Sequence, residues 1–320
     1  MTKLVKKTLK ILIPLVLGIT IVYFLYRDVD IAQLWNDIKK ANWTILSISL
    51  IFSLLASVIR ALRWGQLFRT LGYQPRRSNL IFAVMGNYAV NFAIPRAGDV
   101  WRCAVIHRKE KIPVSKIIET WMVDRIMDVL PVILFGAIAI GLNWVVLRQN
   151  SELFQIPAWL QSPYLYLGIA ILLLIVGLVL IFWKNNPLIQ FLRPFWKYLK
   201  KDMRIILKMD GKTKFFVYTF GIWISFFLCF FVAFFAFDFT AGLGFSAALF
   251  IFVLGSVSML IPSNGGLGPW QAAVVFGLCA FLVNRESAIV FATVVFAFQS
   301  LWQVLCGLFG IFSLAIRKNA

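Results

Sequence analysis

Apolar and polar positions alternate along this chain in blocks, not residue by residue. Phe154–Trp183 runs 30 residues without a charge, Phe215–Phe237 runs 23, and Phe239–Asn284 runs 46. About 20 apolar residues span a bilayer core as a helix, so the longest run can cross twice. The pattern predicts spans at Leu9–Tyr26, Trp43–Ala61, Thr120–Val146, Tyr164–Trp183, Phe215–Phe237 and Ser287–Ile316. Basic residues collect between the blocks. Lys3, Lys6, Lys7 and Lys10 precede the first span, and Arg60, Arg63, Arg69, Arg76 and Arg77 end the second. Lysine and arginine favour the cytoplasmic side, which places both termini there. The balanced loop Arg27–Asn42 is assigned to the outer side.

Two uncharged stretches do not fit simple crossings. Ser78–Pro95 is followed by the basic cluster Arg96–Lys116, which a crossing would strand outside. A hairpin that enters from the cytoplasm and returns removes the conflict. Ser246–Pro262, the turn "SNGGLG" and Trp270–Val283 form a second hairpin, entering from the outer side. The first carries "IPRAGDVWRCAV" from Ile94 and the second "IPSNGGLGPWQAAV" from Ile261. Each stands between two spans, in units of opposite orientation. The fold class expected is therefore all-α: a polytopic membrane protein of about six transmembrane helices plus two oppositely oriented re-entrant helical hairpins in an inverted repeat. Residues 1–320 read as a single transmembrane domain, with repeat A at about 43–146, a basic cytoplasmic loop at about 184–214 and repeat B at about 215–316. Ile189, Leu192, Trp196, Leu199, Met203 and Leu207 recur at helical spacing in that loop and predict an amphipathic surface helix.

Composition agrees with this reading. The chain is 61% apolar and 14% charged, against about 45–50% and about 25% in soluble domains. A formal charge of +19 on a soluble protein suggests nucleic acid. Here the basic residues lie between apolar blocks and suit anionic headgroups instead, so nucleic acid is not an expected partner. The four cysteines, Cys103, Cys229, Cys279 and Cys306, are scattered and form no CxxC pair, so no zinc site or disulfide framework is indicated. The one histidine, His107, reads as an interfacial residue. No cofactor or metal is expected.

The candidate chemistry lies where helices break. Pro95 and Pro262 remove backbone donors, and Gly98, Gly265, Gly266 and Gly268 allow close approach or unusual backbone angles. Inverted repeats with broken helices point to a transporter-like site near the midplane. A broken helix also exposes N–H groups that can hold a phosphate or carboxylate. Arg96, Asp99 and Arg102 follow the first break. Asp99 can pair with either arginine and leaves a surplus cation, and the arginine fork suits phosphate. The same cluster also reads as a cytoplasmic anchor. Asn87 and Asn91 share one helical face, as do Asp124 and Asp128, with Arg125 about 100° round from Asp124. Arg60 and Arg63 are available as partners for the two aspartates, in a network that either locks the halves together or moves. Asn87, Asn91, Asn264 and Gln271 are expected to line a polar path. Asp238, Gln299 and Gln303 read as helix-end or interhelical polar groups.

In order, Arg60-x-x-Arg63-Trp64, Gly86-Asn87, Pro95-x-x-Gly98-Asp99-x-x-Arg102, Asp124-Arg125-x-x-Asp128 and Pro262-x-x-Gly265-Gly266-Leu267-Gly268 resemble the lysylphosphatidylglycerol synthase transmembrane-region family, also described as flippase-like. The resemblance covers about residues 10–316. It implies a bacterial or archaeal inner-membrane protein with inverted repeats and re-entrant helices. In the multiple peptide resistance factor, the related domain moves aminoacylated phosphatidylglycerol between leaflets, and a separate soluble domain makes that lipid. This chain stops just after its last span, so no lysyl transfer is expected. Two positions depart from the family pattern: Asp99 and Gln271 stand where glutamate is common. The second departure removes a negative charge and weakens the expectation of a cationic headgroup. The leading expectation is a non-enzymatic translocator of an anionic or phosphate-bearing lipid, either a membrane phospholipid or a polyprenyl-phosphate lipid. An enzyme or membrane subunit acting on polyprenyl-linked sugars or aminoacyl lipids, and a non-transporting membrane partner, are the alternatives. Homo-oligomer formation is left open.

Overall fold

The computed structural model describes residues 16, 18–27, 31–95, 97–149, 209–261 and 263–317. The expected span Tyr164–Trp183 and amphipathic loop helix lie outside these residues, as does most of Leu9–Tyr26. Every regular element described is helical. Residues 18–26 form α1. There follow α2 (Ile31–Lys40), α3 (Trp43–Thr70), α4 (Arg77–Ala93), α5 (Ala97–Glu110), α6 (Val114–Leu142), α7 (Trp144–Gln149), α8 (Lys212–Phe234), α9 (Asp238–Ala241), α10 (Phe245–Ser258), α11 (Pro269–Ala280) and α12 (Arg285–Ile316). Four of them, α3, α6, α8 and α12, are long and apolar enough to cross a membrane. The protein is a multi-pass membrane protein.

Element boundaries follow local chemistry. Asn42 caps α3 by accepting from the Thr44 and Ile45 amides at 3.1 and 3.2 Å. This helix continues nine residues past the Ala61 end expected from the sequence, because Arg60 and Arg63 are paired inside the bundle and do not mark an interface. The stretch assigned to an open outer loop forms α2, with Lys40 Nζ 2.7 Å from Asp37 Oδ1 one turn back. α6 starts six residues earlier than expected, at Val114, and Pro131 stands inside it. Proline there removes the N–H that would bond the Met127 carbonyl one turn from Asp128.

Packing fixes the relative directions. The Asn42 amide donates to the Ala236 carbonyl at 2.9 Å, joining the start of α3 to the end of α8. Arg63, near the other end of α3, meets Thr219 and Phe215 near the start of α8, so the two helices run antiparallel. α4 and α12 are antiparallel as well. A Cβ at Gly307 would meet Ala89, and one at Gly310 would meet the Phe82 carbonyl at 2.7 Å. These glycines bring the two backbones together, as small residues do in membrane helix pairs. One apolar core gathers Leu46, Phe230, Phe234, Ile251, Leu278 and Phe291. A second gathers Trp64, Leu67, Phe68, Ile106, Ile117, Phe215 and Leu314. The second core lies at the end that carries Arg69, Arg76, Arg77, Arg108, Lys109, Lys111, Lys212, Lys214 and Arg317, facing Glu110, Glu119 and Asp210.

Two helical hairpins complete the bundle. α4 packs on α5, and their open ends are joined at the basic end, where Asn79 Nδ2 donates to Glu110 Oε1 at 2.6 Å. α10 packs on α11, and its start lies beside Asn143 at the opposite end, where Asn143 Nδ2 donates to the Ser246 carbonyl at 2.9 Å. At 12–17 residues, each helix of the two pairs is shorter than a single crossing requires. Their tips meet: a Cβ at Gly265 would lie 2.6 Å from Phe92 Cδ2. α1 covers the second tip, with Gly18 against Leu267 and Gly268.

Candidate functional site

A buried ionic network sits between α3, α5 and α6. Arg60 and Arg63 are ten and seven residues from the Thr70 end of α3, and Asp124 is ten residues into α6. At 1.5 Å per residue, Arg60 and Asp124 are each about 15 Å from the basic ends of their helices, well inside both apolar spans. Arg63 Nη2 lies 2.6 Å from Asp124 Oδ1 and 2.7 Å from Asp128 Oδ1. It also donates to the Asp124 carbonyl at 2.9 Å, while its Nη1 reaches Thr219 at 3.3 Å. Arg60 Nη1 is 2.5 Å from Asp128 Oδ2. The i, i+4 spacing that puts both aspartates on one face thus meets the i, i+3 spacing of the two arginines, with the helices antiparallel.

From α5, Arg102 Nη2 approaches Asp124 Oδ2 at 3.3 Å, and its Nε lies 3.5 Å from Asp99 Oδ1. Asp99 is held by Arg125 Nη2. The Arg102 side chain has no exposed surface. Its guanidinium lies 4.6 Å from the Trp64 ring centroid, and Trp64 Nε1 is anchored on Thr120 Oγ1 at 3.1 Å. Even so, Arg102 Nε and Nη1 are buried without a hydrogen-bond partner among the described residues. Among the described residues four arginines face three aspartates here, which gives them a surplus positive charge. Burial corrects one expectation from the sequence: Arg102 is not part of an exposed cytoplasmic anchor, because α5 turns it inward against Trp64 and Asp124. Arg96 lies outside the described residues.

The hairpin tips are organised differently from the expectation of free amides. Asn91 Oδ1 accepts from the Gly98 amide at 2.8 Å, and Asn91 Nδ2 reaches Asn87 Oδ1 at 3.5 Å. Gln271 Oε1 accepts from the Gly268 amide at 2.6 Å. Each hairpin therefore ties one N–H at the start of its second helix to a neutral carboxamide, and Asn91 and Gln271 cap the backbone where a bare path lining was expected. Gly98 has no room for a side chain, because a Cβ would strike the Asn87 carbonyl. Gly265, Gly266 and Gly268 have φ of 61°, 92° and 88°, the left-handed region that favours glycine. Asn264 Oδ1 is buried at this tip without a hydrogen-bond partner among the described residues. The second tip shares no hydrogen bond with the ionic network among the described residues.

Trp64, Thr120 and Thr219 escaped the sequence reading as site residues. Trp64 stood in a quoted motif beside Arg63, but an apolar helix gives no sign that its ring will shield a guanidinium. Gln303 lines a cavity of about 10 Å³ with Ser53, Ser57 and Tyr88, room for about one water.

Comparison with known proteins places this geometry. The profile of the family described as "Lysylphosphatidylglycerol synthase TM region" matches residues 11–307. A UPF0104 membrane protein of Methanocaldococcus jannaschii is 25% identical over 142 residues, 43% of this chain. The match spans 41% of that protein's own length.

Proposed function

Since the chain belongs to the lysylphosphatidylglycerol synthase transmembrane-region family, we propose that it carries a phosphate-bearing lipid between leaflets. The single observation behind this is Arg102, a fully buried cation whose Nη1 has no partner among the described residues, in a cluster whose described members have one more arginine than aspartate. An unmatched charge at membrane depth is costly and marks an ion or substrate path in most membrane proteins. A phosphate or other anionic headgroup would neutralise the surplus and accept from Nη1, which no described residue engages.

The remaining members of the network divide by their partners. Arg60, Arg63, Asp124 and Asp128 neutralise one another and tie α3 to α6, which supports a lock. Arg102 and the Asp99–Arg125 pair adjoin the first hairpin and form the headgroup station, with Arg96 beside them in sequence. The hairpins re-enter from opposite faces, and their tips close the path at Phe92 and Gly265. α3, α4–α5 and α6 form one repeat, and α8, α10–α11 and α12 the inverted other. The neighbour pairs support this: exchanging the two sets turns α4 on α12 into α10 on α6, and α5 on α6 into α11 on α12, all of which pack together. The basic end faces the cytoplasm.

The proposal is of a carrier and not an enzyme. Purified protein in vesicles is expected to speed leaflet exchange of phosphate-bearing anionic lipids above that of protein-free vesicles. No acceleration for any lipid of the native membrane would overturn the proposal, as would turnover of a nucleotide sugar by the pure protein.

A further inference from the structure

A second cationic site lies apart from the network, at the basic end. The last turns of α3, the loop that follows and the first turns of α4 enclose a cavity of about 180 Å³. Its floor is apolar, from Leu62, Gly65 and Leu80, and its rim carries Arg69, Gln74 and Arg77. No carboxylate lines it, and among the described residues neither rim arginine forms an ion pair. Glu110, beside the start of α4, is already engaged by the Arg76 amide at 3.2 Å and Asn79 Nδ2 at 2.6 Å. Arg69 Nε donates to the Gly65 carbonyl at 3.3 Å, which leaves its terminal nitrogens toward the rim.

We infer that this cavity is a resting site for the phosphate of a membrane lipid, separate from the buried station. Two arginines with an amide between them match a phosphate's acceptors. The volume is below the ~300–1,000 Å³ that encloses a whole small ligand, so it takes a headgroup and leaves the rest outside. The apolar floor comes from the last turns of α3 and the start of α4 at the basic end, which suits the glycerol and upper chain of a lipid whose tails stay in the bilayer. Free phosphate has the same charge but no use for that floor, so the lipid is the occupant chosen.

The test uses full-length protein in nanodiscs of phosphatidylcholine containing a minority of phosphatidic acid, with retained lipid read by native mass spectrometry. Arg69→Ala/Arg77→Ala is expected to lower retained phosphatidic acid about tenfold, the scale of losing charge-assisted hydrogen bonds. Gln74→Glu sets a carboxylate on an exposed position and is expected to act in the same direction without touching the core. Arg108→Ala/Lys212→Ala, two exposed bases of the same end, is expected to leave retention unchanged. Equal loss in all three variants, or no loss in the first two, would overturn the site. Inorganic phosphate that displaces the lipid at micromolar concentration would assign the cavity to free phosphate and overturn the lipid occupant.

Discussion

Arg63 and Arg102 are both buried arginines, but their surroundings set different roles. Arg63 meets both aspartates and a threonine, so replacing it removes the nearest partner of buried Asp124 and one of the two partners of Asp128. Arg63→Ala is expected to destabilise the fold by about 3–5 kcal/mol, seen as a lowered Tm in detergent. Arg60→Ala and Asp128→Ala each break the same buried pair, so the double variant is expected to be less destabilised than the sum of the two. Additive losses in that cycle would mean the 2.5 Å pair is not coupled. Arg102→Gln removes the cation but keeps a buried donor near Asp124, which also has Arg63, and is expected to keep Tm within a few degrees of wild type. The pairing of Arg60 and Arg63 with Asp124 and Asp128 was legible in the sequence, because only spacing and burial were needed. The position of Arg102 was not, because its neighbours Trp64 and Asp124 come from other helices.

Among the elements, the two breaks were visible from proline and glycine, and the structure places a hairpin at each. Hidden from the sequence was how the hairpins satisfy their own backbone. Asn91 reaches Gly98 across the first break from the preceding helix, whereas Gln271 reaches back three residues within its own helix. A polar residue near a break reads equally as a cap or as a path lining until the fold is known. Gln271→Glu keeps an acceptor for the Gly268 amide, so it is expected to fold with little change in Tm. Gln271→Leu orphans that buried N–H and is expected to cost about 1–3 kcal/mol. Gly98→Ala forces a methyl onto the Asn87 carbonyl and is expected to lower Tm by a similar energy. The end of α3 was misplaced for a related reason. Charges inside an apolar block look like an interface, yet Arg60 and Arg63 lie a full two turns short of it.

The whole molecule has two apolar cores, one toward each end, with the ionic network beside the second and the hairpin tips in contact between them. Most of the described basic residues gather around one end, where α3 and α12 finish and α6 and α8 start, while Lys39, Lys40, Arg148 and Arg285 lie toward the other. That asymmetry is what fixes orientation in the membrane. Cysteines placed at Arg108 and Lys212 are expected to react with an impermeant thiol reagent from the cytoplasmic side only, and one at Trp144 from the outside only. The reverse labelling would invert the topology. The Arg102 side chain is sealed from solvent, so the proposed carrier role requires a rearrangement that exposes it.

The role of Arg102 is open to a single comparison. Wild type and Arg102→Gln, matched for Tm and amount, are reconstituted in the same vesicles and the leaflet exchange of a phosphate-bearing anionic lipid is followed. A headgroup station predicts that the variant folds normally and exchanges lipid about tenfold or more slowly, the loss of one charged hydrogen-bond partner. Exchange at the wild-type rate by a folded Arg102→Gln protein would contradict it and leave the buried arginine a packing residue.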